Sequence, residues 1–123
     1  MESYVMKILF IILMMFSTLS FAKSSKTDSI TKEHMIEGLC GEAALMAQTT
    51  MQARQGGVTL TTSLQNLNNS FNDSPKKSFF KAIIIDAYKE PLWQTEENKR
   101  NAVTEYSNKT YLICNDAFSK SLK

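Results

Sequence analysis

The stretch CGEAALMAQTTMQARQGG, residues 40–57, decides the predicted fold because it places a cysteine inside a helical pattern. Small and apolar side chains recur there at three- and four-residue steps, which puts them on one face of an α-helix. Gly56 and Gly57 favour the left-handed conformation that ends helices. The small side chains let a second helix approach closely, as a disulfide between helices requires. The predicted inner face comprises Ile36, Cys40, Ala43, Ala47, Met51 and Arg54.

The N-terminal stretch MESYVMKILFIILMMFSTLSFAKSS has the segment order of a secretory signal peptide: a basic residue, an apolar run and then small residues. We predict a signal peptide at 1–22, cleaved after Ala22, with translation starting at Met1 or Met6. The alternative is a membrane anchor, but the apolar run 8–16 would rise only about 14 Å as a helix, and a span needs roughly 20 apolar residues. The chain is therefore expected to be periplasmic or secreted, without a stable membrane anchor after cleavage.

Two cysteines in an exported chain favour one disulfide, here between Cys40 and Cys114. Cys114 lies in the last helical pattern, so the bond would join the first and last helices and enclose all that lies between them. The chain-entropy model gives such a loop about 4 kcal/mol of stabilisation. If the chain is not exported, two buried free thiols or one reactive thiol are the alternatives.

The segment 23–30 is polar and predicts a flexible arm before a single helical domain at 31–123. Either Ser29 or Thr31 is expected to cap the first helix, because a hydroxyl can accept from the free amides of the first turn. The boundaries of the arm and of the domain rest on these caps.

A second, shorter helix is predicted over 58–67, where leucines recur at helical spacing. Thr59 or Thr61 is its expected cap. The segment 68–73 that follows is rich in residues that bind their own backbone, which predicts a loop.

A serine cap with proline at the first helical position, Ser74 and Pro75, predicts the start of a third helix. Pro91 sets its end, since the residue before a proline avoids helical geometry. Its broad apolar face comprises Phe79, Phe80, Ile83, Ile84, Ala87 and Tyr88.

Thr95, followed by two acidic residues, predicts the start of the last helix. Two apolar stripes run along it, so we expect the end of this helix to be covered on two sides. The sequence thus predicts an all-α, four-helix domain in which one disulfide links the first and last helices. The stripes are Val103, Tyr106, Thr110, Ile113, Cys114 and Ala117, and then Tyr111, Phe118 and Leu122.

Composition argues against several functions. The net charge is +2 and the lysines are scattered, whereas a nucleic-acid-binding face needs a concentrated basic patch. Metal ligands are scarce, because the one histidine, His34, has only Glu37 one turn away. We expect no cofactor, no metal and no enzyme activity. Paired carboxylates of the glycosidase kind stay an alternative, although each available acid fits a solvated helix face. These acids are Glu33, Glu37, Glu42 and Glu90.

Three side chains are candidates for recognition. Arg54 and Asp86 lie beside apolar stripes, and we expect them to pair with each other or to cap a neighbouring helix end. The functional alternative is that they line a recognition surface. Trp93 follows Pro91 and Leu92, and the preferred interpretation is that it anchors a loop to the core. A ligand-stacking role is the alternative for this side chain.

A resemblance follows from the order Cys40, Arg54-Gln55-Gly56, Ala87-Tyr88, Pro91 and Cys114. The chain resembles small exported proteins of Gram-negative bacteria and their phages, most of which have no assigned function. In general plan it also looks like periplasmic acid-stress chaperones and helical periplasmic immunity or lysozyme-inhibitor proteins.

The expected function is therefore a non-catalytic exported module that binds another envelope protein and restrains or modulates an envelope enzyme. The alternative is an envelope-stress chaperone. The second alternative is an enzyme that acts on peptidoglycan, which requires two acids in one cleft.

Overall fold

The structure, a computed structural model, describes residues 25–72 and 74–121, with side chains from residue 30 onward. The predicted signal peptide at 1–22 lies outside the described residues. So do the first two residues of the predicted arm and Leu122.

The described chain is all-α, as predicted, with four helices. They are α1 (Ser25–Gln55), α2 (Leu60–Ser70), α3 (Pro75–Ala87) and α4 (Glu96–Ser121). The longest helix, α1, lies at the centre: α4 packs along it, α3 packs on it, and α2 packs mainly on α3.

The disulfide prediction is confirmed. Cys40 and Cys114 are bonded at 2.07 Å between sulfurs, with their Cα atoms 5.5 Å apart. The hydroxyl of Ser107 donates to the carbonyl of Ala44 at 3.0 Å. Residue numbers therefore fall along α4 as they rise along α1, and the two helices are antiparallel.

The core forms on the predicted inner face of α1. The four side chains Cys40, Ala43, Ala47 and Met51 are completely buried, and the small volumes of the first three let α4 lie close to α1. The predicted face of α3 supplies most of the remaining core, and the rings of Phe71 and Phe80 meet edge to face. The other core residues are Leu67, Phe80, Ile83, Ile84, Ala87, Tyr106 and Cys114.

Local signals fixed several helix ends. The hydroxyl oxygen of Thr59 accepts from the backbone N–H of Thr62, and that of Thr95 accepts from Asn98, both at 3.2 Å. Gly57 has a φ of 87°, the left-handed conformation expected after α1. Ser74 precedes Pro75 as predicted, but its hydroxyl makes no capping bond to the helix.

Two predicted boundaries were wrong. Helix α1 begins at Ser25, so most of the segment predicted as an arm is helical. Ser29 and Thr31, the expected caps, lie inside the helix and not at its start. No glycine or proline interrupts this stretch before Gly38, and nothing local stops the helix from extending backwards. Helix α2 continues to Ser70, because Phe71 packs on α3 and its N–H bonds the carbonyl of Leu67.

The expectation that the end of α4 is covered on two sides was also wrong. Leu112 is 65% exposed and Ile113 is 59% exposed. Tyr106 and Cys114 are the buried residues of this helix within the described chain. The physical reason is that α3 packs on α1 and α2 and stands away from α4, so Ile113, which belongs to the first stripe, has no helix packed over it.

Candidate functional site

The side chain of Tyr106 bridges the space between α3 and α4. Its ring is buried, and its hydroxyl donates to the backbone carbonyl of Ile83 at 2.6 Å. Burial raises the pKa of Tyr106 well above its ordinary value, and the negative charge of Asp86 raises it further. The phenol therefore stays a neutral hydrogen-bond donor. A groove opens on each side of it, and Tyr106 belongs to the wall of both.

The groove nearer the disulfide encloses about 400 Å³ and is mainly apolar; we call it the apolar groove. Helix α3 forms one wall and the second half of α4 forms the other. Residues of both apolar stripes of α4 lie here, Ile113 and Ala117 from the first and Phe118 from the second, so aliphatic and aromatic side chains face solvent across the groove. Its apolar side chains are Phe79, Ala82 and Ile83 on α3, and Ile113, Ala117 and Phe118 on α4.

Polar groups line one edge of the apolar groove. The carboxylate of Asp86 and the ammonium of Lys89 lie 3.5 Å apart, both largely in solvent. Thr110 adds a hydroxyl, which donates to the carbonyl of Tyr106 at 2.8 Å. An apolar floor with a polar edge is the arrangement found at protein–protein contacts. The groove has room for apolar side chains of another protein.

The groove on the other side of Tyr106 has a different character. It lies between the connection that links α3 to α4 and the first half of α4, and it encloses about 480 Å³. We call it the polar groove. It is lined by Glu90 and Trp93 from the connection, and by Asn98, Asn101, Ala102, Glu105, Tyr106 and Lys109 from α4.

A buried glutamine holds the connection in place. Gln55, at the end of α1, is 5% exposed. Its side-chain nitrogen donates to the carbonyl of Pro91 at 2.8 Å, and its oxygen accepts from the N–H of Trp93 at 2.9 Å. Sequence reasoning missed this residue. A signal was present, because Gln55 continues the four-residue steps that run through Ala47 and Met51 on the inner face.

Arg54 and Asp86 do not form the ion pair that was one of the predicted alternatives. The guanidinium of Arg54 lies 5.4 Å from the centre of the Tyr88 ring and donates two long hydrogen bonds, of 3.3 and 3.4 Å, to the carbonyl of Glu90. It therefore caps the chain just beyond the end of α3, which is the other structural alternative. Asp86 pairs with Lys89 instead. A recognition role for either side chain stays a prediction.

Trp93 is held through its backbone. The N–H of Trp93 donates to the side chain of Gln55, which ties the loop to α1. Residue Trp93 is 41% exposed, lines the polar groove and is not among the core residues. The ligand-stacking alternative for Trp93 therefore has a cavity beside it.

The remaining candidate metal ligands, His34 and Glu37, lie on α1. His34 and Glu37 lie 3.4 Å apart and are both exposed. Within residues 25–72 and 74–121 no group of three or more histidine, cysteine or acidic side chains is arranged to hold a metal ion. No helix in that part of the chain combines the length and apolar character that crossing a membrane requires.

Comparison of the chain with protein-family models, with curated proteins and with solved structures found no match. The resemblance to small exported proteins of Gram-negative bacteria therefore stays a prediction.

Proposed function

We propose that this protein is an exported, non-catalytic binding module that docks on another envelope protein through the apolar groove and thereby restrains or modulates an envelope enzyme. The observation that supports the proposal is the apolar surface of α4 that faces this groove without cover from α3. The disulfide adds support for export, because such bonds persist in oxidising compartments.

The energetics of the apolar groove favour a protein partner. Completely burying a side chain such as isoleucine or phenylalanine stabilises a contact by about 1.5–3 kcal/mol. Ile113 and Phe118 are both partly or largely in solvent and line the same groove. A partner that covers both side chains gains several kcal/mol before the cost of association. Exposed apolar patches with a polar edge typically mark such contacts.

The polar edge supplies selectivity. A partner that approaches the groove must satisfy or displace the pair formed by Asp86 and Lys89. Like charges placed against either group would cost binding free energy, so the edge discriminates among partners that share an apolar anchor.

The test is an affinity pull-down of the tagged, natively exported protein from the periplasm of its own host, followed by mass spectrometry. We expect one abundant envelope enzyme among the captured proteins. Ile113→Asp should abolish its capture, because a carboxylate would enter the apolar groove. Leu45→Asp is the matched control: Leu45 is an exposed leucine on α1 that does not line the groove, and its variant should capture the same partner.

Other outcomes would favour the alternatives. Capture of many unrelated proteins, mainly after acid shock, would support the envelope-stress chaperone. Recovery of no stoichiometric partner, together with no effect on wall hydrolases, would reject the binding module. The mass of the tagged protein itself reports whether the chain is cleaved after Ala22.

A further inference from the structure

The polar groove has the dimensions of a small-ligand site. Its volume of about 480 Å³ falls within the usual range for such cavities. It combines one large aromatic surface, from Trp93, with several polar side chains, from the connection and from α4. In small-molecule sites, a few placed polar groups fix the orientation of the ligand.

The polar side chains of α4 form a row along this groove. Asn98, Asn101, Glu105 and Lys109 follow one another at three- and four-residue steps, which places them on one face of the helix. Within the part of the chain that the structure describes, their side chains make no hydrogen bond or ion pair with one another or with other residues. Their donors and acceptors are available to a ligand.

The backbone that carries Trp93 is held in place before any ligand arrives. The N–H of Trp93 and the carbonyl of Pro91 are both bound by the buried amide of Gln55. Tyr106 completes the wall with its ring, because its hydroxyl is already engaged by Ile83. A site whose backbone is fixed in advance loses less conformational freedom on binding.

The mixture of polar groups indicates the class of ligand. The groove presents two carboxylates, two amides and one ammonium, so hydrogen-bond acceptors and donors lie side by side. An anionic ligand would meet the negative charges of Glu90 and Glu105, which disfavours it. A simple cation would leave the amide and ammonium donors of the groove without acceptors. A sugar ring suits both features: its C–H face packs on an aromatic ring, and its hydroxyls donate and accept at the rim.

We propose that the polar groove is a saccharide-binding site, in which the indole of Trp93 stacks on a sugar ring while Asn98, Asn101 and Glu105 bind its hydroxyl or amide substituents. The site lies on the other side of Tyr106 from the apolar groove, and its binding of a sugar does not depend on protein docking there. In an exported protein, the glycan strands of the cell wall and other neutral polysaccharides share this chemistry.

Trp93 is the only tryptophan of the chain, so its fluorescence reports the site directly. The complete exported protein is titrated with an N-acetylglucosamine tetrasaccharide and, separately, with cellotetraose. We expect a saturable change in tryptophan emission at high micromolar to millimolar sugar. Binding of the acetylated sugar alone, with co-sedimentation on purified peptidoglycan sacculi, identifies wall glycan as the source. Equal binding of cellotetraose identifies neutral polysaccharides more generally.

Two substitutions test whether the sugar binds in the polar groove. Trp93→Ala removes the fluorescent reporter, so its affinity is measured by calorimetry, and we expect about a tenfold loss from the missing stacking surface. Asn101→Ala keeps the tryptophan and should weaken binding severalfold with the fold intact by circular dichroism. Asn66→Ala, on the exposed face of α2 and outside the groove, is the matched control and should bind as the unaltered protein does. The proposal would be overturned if neither sugar changed the tryptophan emission at millimolar concentration. It would also be overturned if binding survived in both groove variants.

Discussion

The two ends of the antiparallel pair formed by α1 and α4 are held together by different means. At one end the bond between Cys40 and Cys114 joins the helices covalently. At the other end Gln55 holds the connection that leads into α4 by two hydrogen bonds. The end with the covalent bond is also the end where Ile113 stays in solvent, whereas the end without it buries a polar side chain.

This contrast indicates that a disulfide can hold a helix end in place where no second helix packs over it. A helix end held by a disulfide keeps its place without a second neighbour, so its apolar stripe is available for other contacts. A helix end held by hydrogen bonds depends on complete pairing of the buried groups, because an unpaired buried amide costs about 1–3 kcal/mol. Substitutions at each end of the helix pair, and at the tyrosine between the grooves, test this contrast.

Replacing both Cys40 and Cys114 by serine should have the largest effect. The disulfide closes a loop with a sequence separation of 74 residues, for which the chain-entropy model gives about 4 kcal/mol. Urea denaturation of the purified variant should show a loss of that size in the free energy of unfolding. Reduction of the unaltered protein provides the control and should give a similar loss. A decrease of less than about 1 kcal/mol would contradict a structural role for this bond.

Gln55→Ala should destabilise the other end less strongly. The variant leaves the N–H of Trp93 and the carbonyl of Pro91 without their partner, and we expect a loss of about 1–3 kcal/mol. Tryptophan emission should shift as well, because the connection is no longer held. Gln52→Ala is the matched control, since Gln52 is exposed on the same helix. Equal melting temperatures for the two variants would show that Gln55 does not hold the connection.

Tyr106→Phe should remove the bridge between α3 and α4 with a loss of about 0.5–1.5 kcal/mol at neutral pH. The pKa of Tyr106 in the folded protein is raised above the ordinary value of 10.0, so the unfolded chain releases its proton at lower pH than the folded protein does. The stabilisation is therefore complete below about pH 10 and is lost as the pH rises above it.

Urea denaturation at a series of values from about pH 8 to 11, a range that spans the ordinary tyrosine pKa, measures this dependence. The free energy of unfolding should fall more steeply above about pH 10 for the unaltered protein than for Tyr106→Phe. Tyr111→Phe is the control, because the hydroxyl of Tyr111 makes no hydrogen bond to another described residue. Identical alkaline slopes for all three proteins would contradict the role assigned to Tyr106.

Arg54→Ala should have the smallest effect. The hydrogen bonds of Arg54 to Glu90 are long, and its contact with the Tyr88 ring is worth about 0.5–1 kcal/mol at a partly exposed site. We expect a lowering of the melting temperature by a few degrees with capture of the partner unchanged. Loss of partner capture at an unchanged melting temperature would instead support the recognition alternative for this residue.

Local chemistry explains what the sequence predicted well. The disulfide followed from two cysteines in a chain that was predicted to be exported. The stop at Gly57 and the caps at Thr59 and Thr95 followed from short-range hydrogen bonding and backbone geometry. The inner face of α1 followed from periodicity, because its spacing is independent of which helix covers it.

Long-range packing explains what the sequence could not predict. The stripe through Ile113 has helical spacing, but spacing does not tell which turns a neighbouring helix covers. Gln55 binds backbone atoms of Pro91 and Trp93. Nearly every residue type has these backbone atoms, so the sequence does not reveal which residues Gln55 binds. The polar groove was missed for the same reason, since Glu90 and Trp93 meet α4 only in three dimensions.

The disulfide also determines what proteolysis can do to this molecule. A cut after the exposed Lys89, in the connection between α3 and α4, falls inside the segment that Cys40 and Cys114 bracket. The two fragments stay joined through sulfur, so a nicked molecule migrates as one band until a reductant is added. A protease in the same compartment can therefore open the backbone beside Trp93 without separating α1 from α4.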